Sequence, residues 1–349
     1  MLLFRLGACA CAILVVGCAS GSGPDAGDRA ASTAATSQET AAADAFPVTI
    51  EHAFGETVIA SEPQRVATVS WANHEVPLAL GIVPVGMAEV TWGDDDGDGV
   101  MPWVEERLSA LGAEVPVLYD ETDGIDFEAV ADTNPDVILA AYSGLTEEDY
   151  TTLSQIAPVV AYPQLPWATS VQDMILMSSR AMGMSAEGER LVADYEADVA
   201  AAFAEHPELE GKRVMFSYLD PNDLSTVGFY TTHDTRAAFL AEVGMQVPSV
   251  VEERSAASET FYETISAEAG DQLDDVDILV TYGAADGSTL QRYQSDPLLS
   301  QIPAIARGSV VVLEESTPLA AAANPSPLSI AWALEDYVDL LAAAAATVE

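Results

Sequence analysis

The sequence has 349 residues, 49% of them hydrophobic, with 12 Lys and Arg against 56 Asp and Glu and a formal net charge of -44. That length holds two lobes of about 150 residues each once a leader and a tether are set aside, and the apolar fraction is enough to build cores. A balance this acidic suits solubility outside the cell or in high salt, and it excludes nucleic acid, whose binding needs a basic stripe to displace counterions. All three cysteines (Cys9, Cys11 and Cys18) fall at the start of the chain, which excludes a disulfide scaffold, zinc ribbon, iron–sulfur site or cysteine nucleophile from the body.

Residues 1–17 carry one charge, Arg5, and then an apolar run too short to span a bilayer, so they are expected to be a secretory signal. The run ends in Leu14-Val15-Val16-Gly17-Cys18, which resembles the bacterial lipobox. That resemblance implies that Cys18 is diacylated, becomes the new N-terminus and anchors the protein to the outer face of the cell membrane. An ordinary cleaved signal with an incidental cysteine is the alternative. The next segment is Ala, Ser, Thr, Gly and Asp with almost no large apolar side chain, so residues 18–45 are expected to be a lipidated, disordered tether.

Residues 46–60 predict a β-hairpin, with Val48, Ile50 and His52 alternating with polar neighbours and a turn at Phe54-Gly55-Glu56. Strands and helices then alternate. Strands are expected at 65–70, 82–85, 115–118, 136–141 and 158–162, and helices at 73–80, 102–111, 127–133 and 147–156. Pro102 in the first turn and Gly112 past the end bound the second helix. The nearly continuous apolar strand at 136–141 is what a sheet covered on both faces demands. This is one α/β lobe, 46–184. Residues 169–206 read as helix, broken at Met182-Gly183-Met184, and 185–206 is the expected bridge. A second lobe, 211–349, has strands at 214–218, 278–282 and 310–313, a helix at 235–243, and a last helix from Pro327 with Ile330, Leu334, Val338 and Leu341 on one face. The predicted fold class is α/β: two Rossmann-like lobes joined by one long α-helix.

Several short motifs, weak singly but strong in their order and spacing, carry a family resemblance. They are Pro63-Gln64-Arg65-Val66 with Ser70, Glu75 and Ala79-Leu80-Gly81-Ile82-Val83-Pro84; Asn134-Pro135-Asp136-Val137-Ile138; Ile156-Ala157-Pro158-Val159; and Ser326-Pro327-Leu328 followed by Trp332. Over about residues 46–345 the chain resembles the helix-bridged class (class III) of substrate-binding lipoproteins of ABC importers, in particular the iron–siderophore family. The resemblance implies a monomer that holds a ferric siderophore in a cleft between its lobes and delivers it to permease subunits; haem or cobalamin is the alternative cargo. Cleft residues in such proteins are aromatic and basic side chains at strand ends, where ligands of open α/β sheets bind. The candidates are Trp71, Trp92 and Tyr142 in the first lobe and Tyr218, Phe229, Tyr230, Arg236 and Tyr282 in the second. Each aromatic taken alone reads equally well as packed core. Family members dock on the permease through one surface glutamate per lobe, which implies Glu75 and, offset by a residue from the usual place, Glu242; a solvated carboxylate is the plain reading of both in so acidic a chain.

Asp94, Asp96 and Asp98, with Gly99 behind them and Glu105 beyond, fit a calcium loop of the D-x-D-x-D pattern, although no helix precedes it; a solvated acidic loop is the alternative. Enzyme readings find little purchase. Leu78 stands where a zincin after His74-Glu75 needs its second histidine, and no nucleophile elbow or phosphate-binding glycine loop is present. A binding protein that needs no cofactor is therefore expected, with a cell-surface enzyme as the competing class.

Overall fold

The computed structural model describes residues 44–348. The expected signal peptide, the expected lipidation site Cys18 and nearly all of the expected tether lie outside the described residues. The described chain opens on a hairpin in which β1 (Val48–His52) pairs antiparallel with β2 (Gly55–Ile59). Val48, Ile50 and Ile59 turn inward, and β1 packs against a later helix.

The first sheet is parallel and has five strands: β3 (Val66–Thr68), β4 (Gly86–Ala88), β5 (Val117–Tyr119), β6 (Val137–Ala140) and β7 (Val159–Ala161), in the order β5-β4-β3-β6-β7. Between them run α1 (Glu75–Ala79), α2 (Pro102–Leu111), α3 (Phe127–Asp132) and α4 (Glu147–Leu153). Ala67, Ile138, Leu139 and Ala140 are wholly buried, as strands covered on both faces must be. The strand expected at 82–85 forms at Gly86–Ala88 instead. Ile82 N still donates to Pro77 O at the exit of α1, Pro84 has no N–H to give, and pairing resumes only with Val85 N to Val66 O.

The long helical stretch is two helices, α5 (Val171–Ala181) and α6 (Ser185–Ala204). They part at Gly183, whose φ of 76° favours glycine. The second sheet also has five strands: β8 (Val214–Tyr218), β9 (Thr226–Tyr230), β10 (Tyr262–Ser266), β11 (Ile278–Gly283) and β12 (Val310–Glu314), in the order β10-β9-β8-β11-β12. The strands β8, β11 and β12 are parallel, but β9 runs antiparallel to both β8 and β10, so this sheet is mixed. Its helices are α7 (Thr235–Glu242), α8 (Ser249–Ala257), α9 (Ser288–Ser295), α10 (Pro303–Arg307), α11 (Pro318–Ala322) and α12 (Ser329–Ala345), with a 3-10 segment at Ala267–Leu273. Read from the middle outward, the two strand orders match, with β3 standing where β8 stands and β6 where β11 stands. No described helix is long and apolar enough to cross a membrane.

Candidate ligand-binding cleft

Both lobes bring loops and strand ends to one seam. Tyr142 follows β6, and Asn73 fixes its backbone: Asn73 Nδ2 donates to Tyr142 O at 2.8 Å and Tyr142 N donates to Asn73 Oδ1 at 3.0 Å. The Tyr142 hydroxyl reaches into the second lobe, 3.0 Å from Thr235 Oγ1 at the head of α7, and accepts from Asn324 Nδ2 at 3.2 Å. Trp92, past the end of β4, meets Tyr282 of β11 edge-on with ring centroids 5.4 Å apart. Next to it Gly93 N donates to Ser316 Oγ at 3.3 Å.

On the second-lobe side, Arg236 lies over the ring of Tyr230, its Cζ 3.8 Å from the centroid. Its Nε and Nη2 each donate at 2.8 Å to the carboxylate of Asp234, which is fully buried and also caps α7. Two parallel charge-assisted bonds of this kind hold a guanidinium in one plane. Burial and neighbouring Tyr282 push the Tyr230 hydroxyl up to about 12, against the opposing pull of Arg236. The pair thus puts a cationic face on the wall without adding net charge to it.

On the first-lobe side a pocket of about 370 Å³ opens among the strand ends, lined by Trp71, Glu89, Met101, Glu121 and Trp167 among others. Trp71 sits between two residues of left-handed backbone, Ser70 (φ 62°) and Ala72 (φ 60°). Such non-glycine residues cost energy and persist only where the surroundings hold them. Here Ser70 N donates to both oxygens of Glu121, at 2.9 and 3.2 Å. Burial drives the Glu121 carboxyl up to about 7, and the Ser70 N–H works against that rise. Trp167, also left-handed at φ 60°, stands edge-on to Tyr142 at 5.4 Å. His74 lines the same pocket; burial pulls its imidazole down to about 4, and Nδ1 has no protein partner.

Of the residues singled out from sequence, Trp92, Tyr142, Arg236, Tyr230 and Tyr282 come together at the seam, and Trp71 lines the adjoining pocket. Tyr218 is half-buried at the end of β8. Phe229 does not belong with them. It is 0% exposed and packs in the second-lobe core with Met215, Val227 and Leu279, because alternation along β9 turns it to the face opposite Tyr230. Glu121 and Trp167 were missed. Both follow the strand-end rule that picked Tyr142, but β5 runs on to Tyr119, past its expected end, and Trp167 lies in a proline-flanked loop after β7.

Of the two docking glutamates, Glu75 needs correcting, whereas Glu242 is exposed. Glu75 is buried: it accepts from Trp103 Nε1 and from the backbone N of Leu328, both at 2.8 Å, and so ties α1 to α2 and to the head of α12. It offers no carboxylate to a partner surface. Glu242 closes α7, where Gln172 Nε2 donates to it at 3.4 Å, in a groove between helices. In the acidic loop, ligand-type oxygens of Asp94, Asp96 and Asp98 all lie within 4.8 Å of one another. Burial and then the charge of Asp98 raise the nearby Glu105 carboxyl, which shares a hydrogen bond with Asp98.

A family model described as periplasmic binding protein matches residues 66–317. This chain belongs to the periplasmic binding protein family. Among its periplasmic binding protein relatives is the Fe(3+) dicitrate-binding periplasmic protein FecB of Escherichia coli (strain K12), 22% identical over 281 residues that cover 78% of this chain and 84% of that protein. The probable siderophore-binding lipoprotein YfiY of Bacillus subtilis (strain 168) is 28% identical over 153 residues, 44% of this chain and 43% of that one. Among solved structures, PiaA of Streptococcus pneumoniae TIGR4 in complex with ferrichrome superposes with a TM-score of 0.82 at 43% identity, covering 86% of this chain and 99% of that one.

Proposed function

We propose that this chain is the binding component of an ABC importer, capturing a ferric siderophore between its lobes and handing it to the permease. One observation carries the reading: aromatic side chains from both lobes converge with a single, fully compensated arginine at the strand ends. The streptococcal relative, 43% identical and solved with ferrichrome, supports a ferric chelate as cargo. The finer reading is a neutral or cationic chelate of hydroxamate type. A triply anionic catecholate would need several unpaired cations once desolvated, whereas Arg236 is already spent on Asp234. The domain reading remains a first lobe at 46–184, a bridge at 185–206 and a second lobe at 211–349. Cys18 is proposed as the lipid anchor, by its lipobox.

With Glu75 buried, we propose for docking the pair Glu128 and Glu268 rather than Glu242 alone. Both are exposed, and both sit in the first turn of the segment leading into the strand beside each lobe's first strand, α3 into β6 and Ala267–Leu273 into β11. They are matched positions in the two lobes, as a rule of one glutamate per lobe requires. For the acidic loop we propose one hard divalent cation, on the convergence of its three aspartates.

The test is tryptophan fluorescence titration with a neutral ferric trihydroxamate, a ferric tris-catecholate, haem and cobalamin, at low and moderate salt. The trihydroxamate is expected to bind tightest and to quench most, with Trp71, Trp92 and Trp167 beside it. Tighter binding of haem or cobalamin would replace the cargo. Tighter binding of the catecholate at both salts would overturn the charge argument.

A further inference from the structure

Behind the bridge, away from the seam, a groove of about 760 Å³ runs between α5, α6 and α7. Phe203 and Phe239 form its apolar wall, edge to face with centroids 6.1 Å apart. Its one basic side chain among the described residues, His206, is turned to Glu208 and Asp339, and the other polar groups include acceptors left without a donor. Tyr195, 6% exposed, leaves its hydroxyl without a protein partner, and so does the Oε1 of Gln172. Gln172 has already turned its Nε2 to Glu242. Glu196 lines the groove as well, and among the described residues no Lys or Arg does.

The backbone adds to this. The last turns of α6 and α7 both border the groove, and a helix carries partial negative charge at its C-terminus. Basic residues ordinarily answer that charge, yet neither helix has one in its last turn. Burial, followed by the charges of Glu196 and Asp173, raises the Glu242 carboxyl, the response of a carboxylate without its cation.

From this geometry we infer that the groove between α5, α6 and α7 is a second binding site, for a small organic cation with a primary ammonium head and a short apolar stem. An ammonium has three N–H donors and no acceptor. The groove supplies the complement: Gln172 Oε1, the Tyr195 oxygen and the carboxylates of Glu196 and Glu242, with the stem against Phe203 and Phe239. The occupant would touch both the bridge and the second lobe, so it should stabilise the folded chain by mass action.

The probe is n-butylammonium chloride, titrated calorimetrically into the full chain at moderate salt, with n-butanol as the uncharged control. Saturable binding in the millimolar range or below is expected, together with a rise in melting temperature and neither effect from n-butanol. Glu242→Gln should weaken binding at least tenfold. Tyr195→Phe, which removes only the unpartnered hydroxyl, should weaken it several-fold and decides the matter if Glu242→Gln fails to fold. Absence of saturable binding would overturn the inference. So would binding that neither substitution changes, since that is diffuse counterion association with an acidic surface.

Discussion

Arg236 and Asp234 form a closed, two-pronged ion pair, 2.8 Å at each prong, inside the wall that faces the first lobe. Asp234 is fully buried, and the Arg236 side chain keeps 18% of its surface exposed. Asp234→Asn would leave a buried guanidinium uncompensated, at a cost of roughly 3–5 kcal/mol in stability. It would also place a net positive charge on the cleft wall. The expected outcome is a lower melting temperature together with a shift of relative affinity toward anionic ferric chelates. A variant that is destabilised but keeps its order of preference would separate the pair from cargo selection.

Glu121 gives the protein a pH-dependent element. Its folded value is up to about 7, above its ordinary 4.5. Protonated, it suits its buried site; ionised, it does not. Its stabilising contribution is therefore complete below about pH 4.5 and is lost as pH rises through about 7, a swing on the order of 3 kcal/mol. Glu121→Gln keeps an acceptor for Ser70 N and removes the charge. The variant should melt close to the wild type near pH 4.5 and above it at about pH 8. A gap that fails to widen with pH would show that the carboxyl is better solvated than its surroundings indicate.

Glu75 and the matched glutamates should behave oppositely. Glu75→Ala leaves the Trp103 indole N–H and the Leu328 amide buried without an acceptor, costing about 2–4 kcal/mol. Glu128→Arg and Glu268→Arg should leave the melting temperature and chelate affinity unchanged while blocking uptake in cells. Normal uptake with both reversed charges would place docking elsewhere.

Calcium at millimolar levels is expected to raise the melting temperature, and Asp96→Ala is expected to abolish the rise. An equal rise in wild type and variant would assign the effect to general screening of the acidic surface.

Much of this molecule was legible from its sequence, for physical reasons. The parallel core strands are apolar runs, so β6 and β8 were found within a residue or so of their bounds. The helix at Pro102–Leu111 was found at both ends because Pro and Gly mark them. What escaped was set by distant packing. Nothing local announces β9, whose central Gly228 is there because a Cβ would lie 1.7 Å from the Tyr262 hydroxyl. At the site, strand ends pointed to Trp92, Tyr142 and Tyr282. The same rule misjudged Phe229, since which face a strand residue takes depends on register, and register depends on a partner strand far along the chain. Glu75 was misjudged because burial is not written in residue type.

The bond from Leu328 N to Glu75 joins residues 253 apart in sequence. Contacts this remote close late, because the loop between them must be ordered first. A chain that emerges N-terminus first therefore presents the first lobe with the Glu75 carboxylate still lacking its Leu328 N–H donor, and the lobe stays incomplete until the last helix arrives. The expected folding order is a first sheet assembled early but loosely, then locked by the C-terminal segment. Loss of that segment would make the first lobe susceptible to proteases although every strand of its sheet is still present.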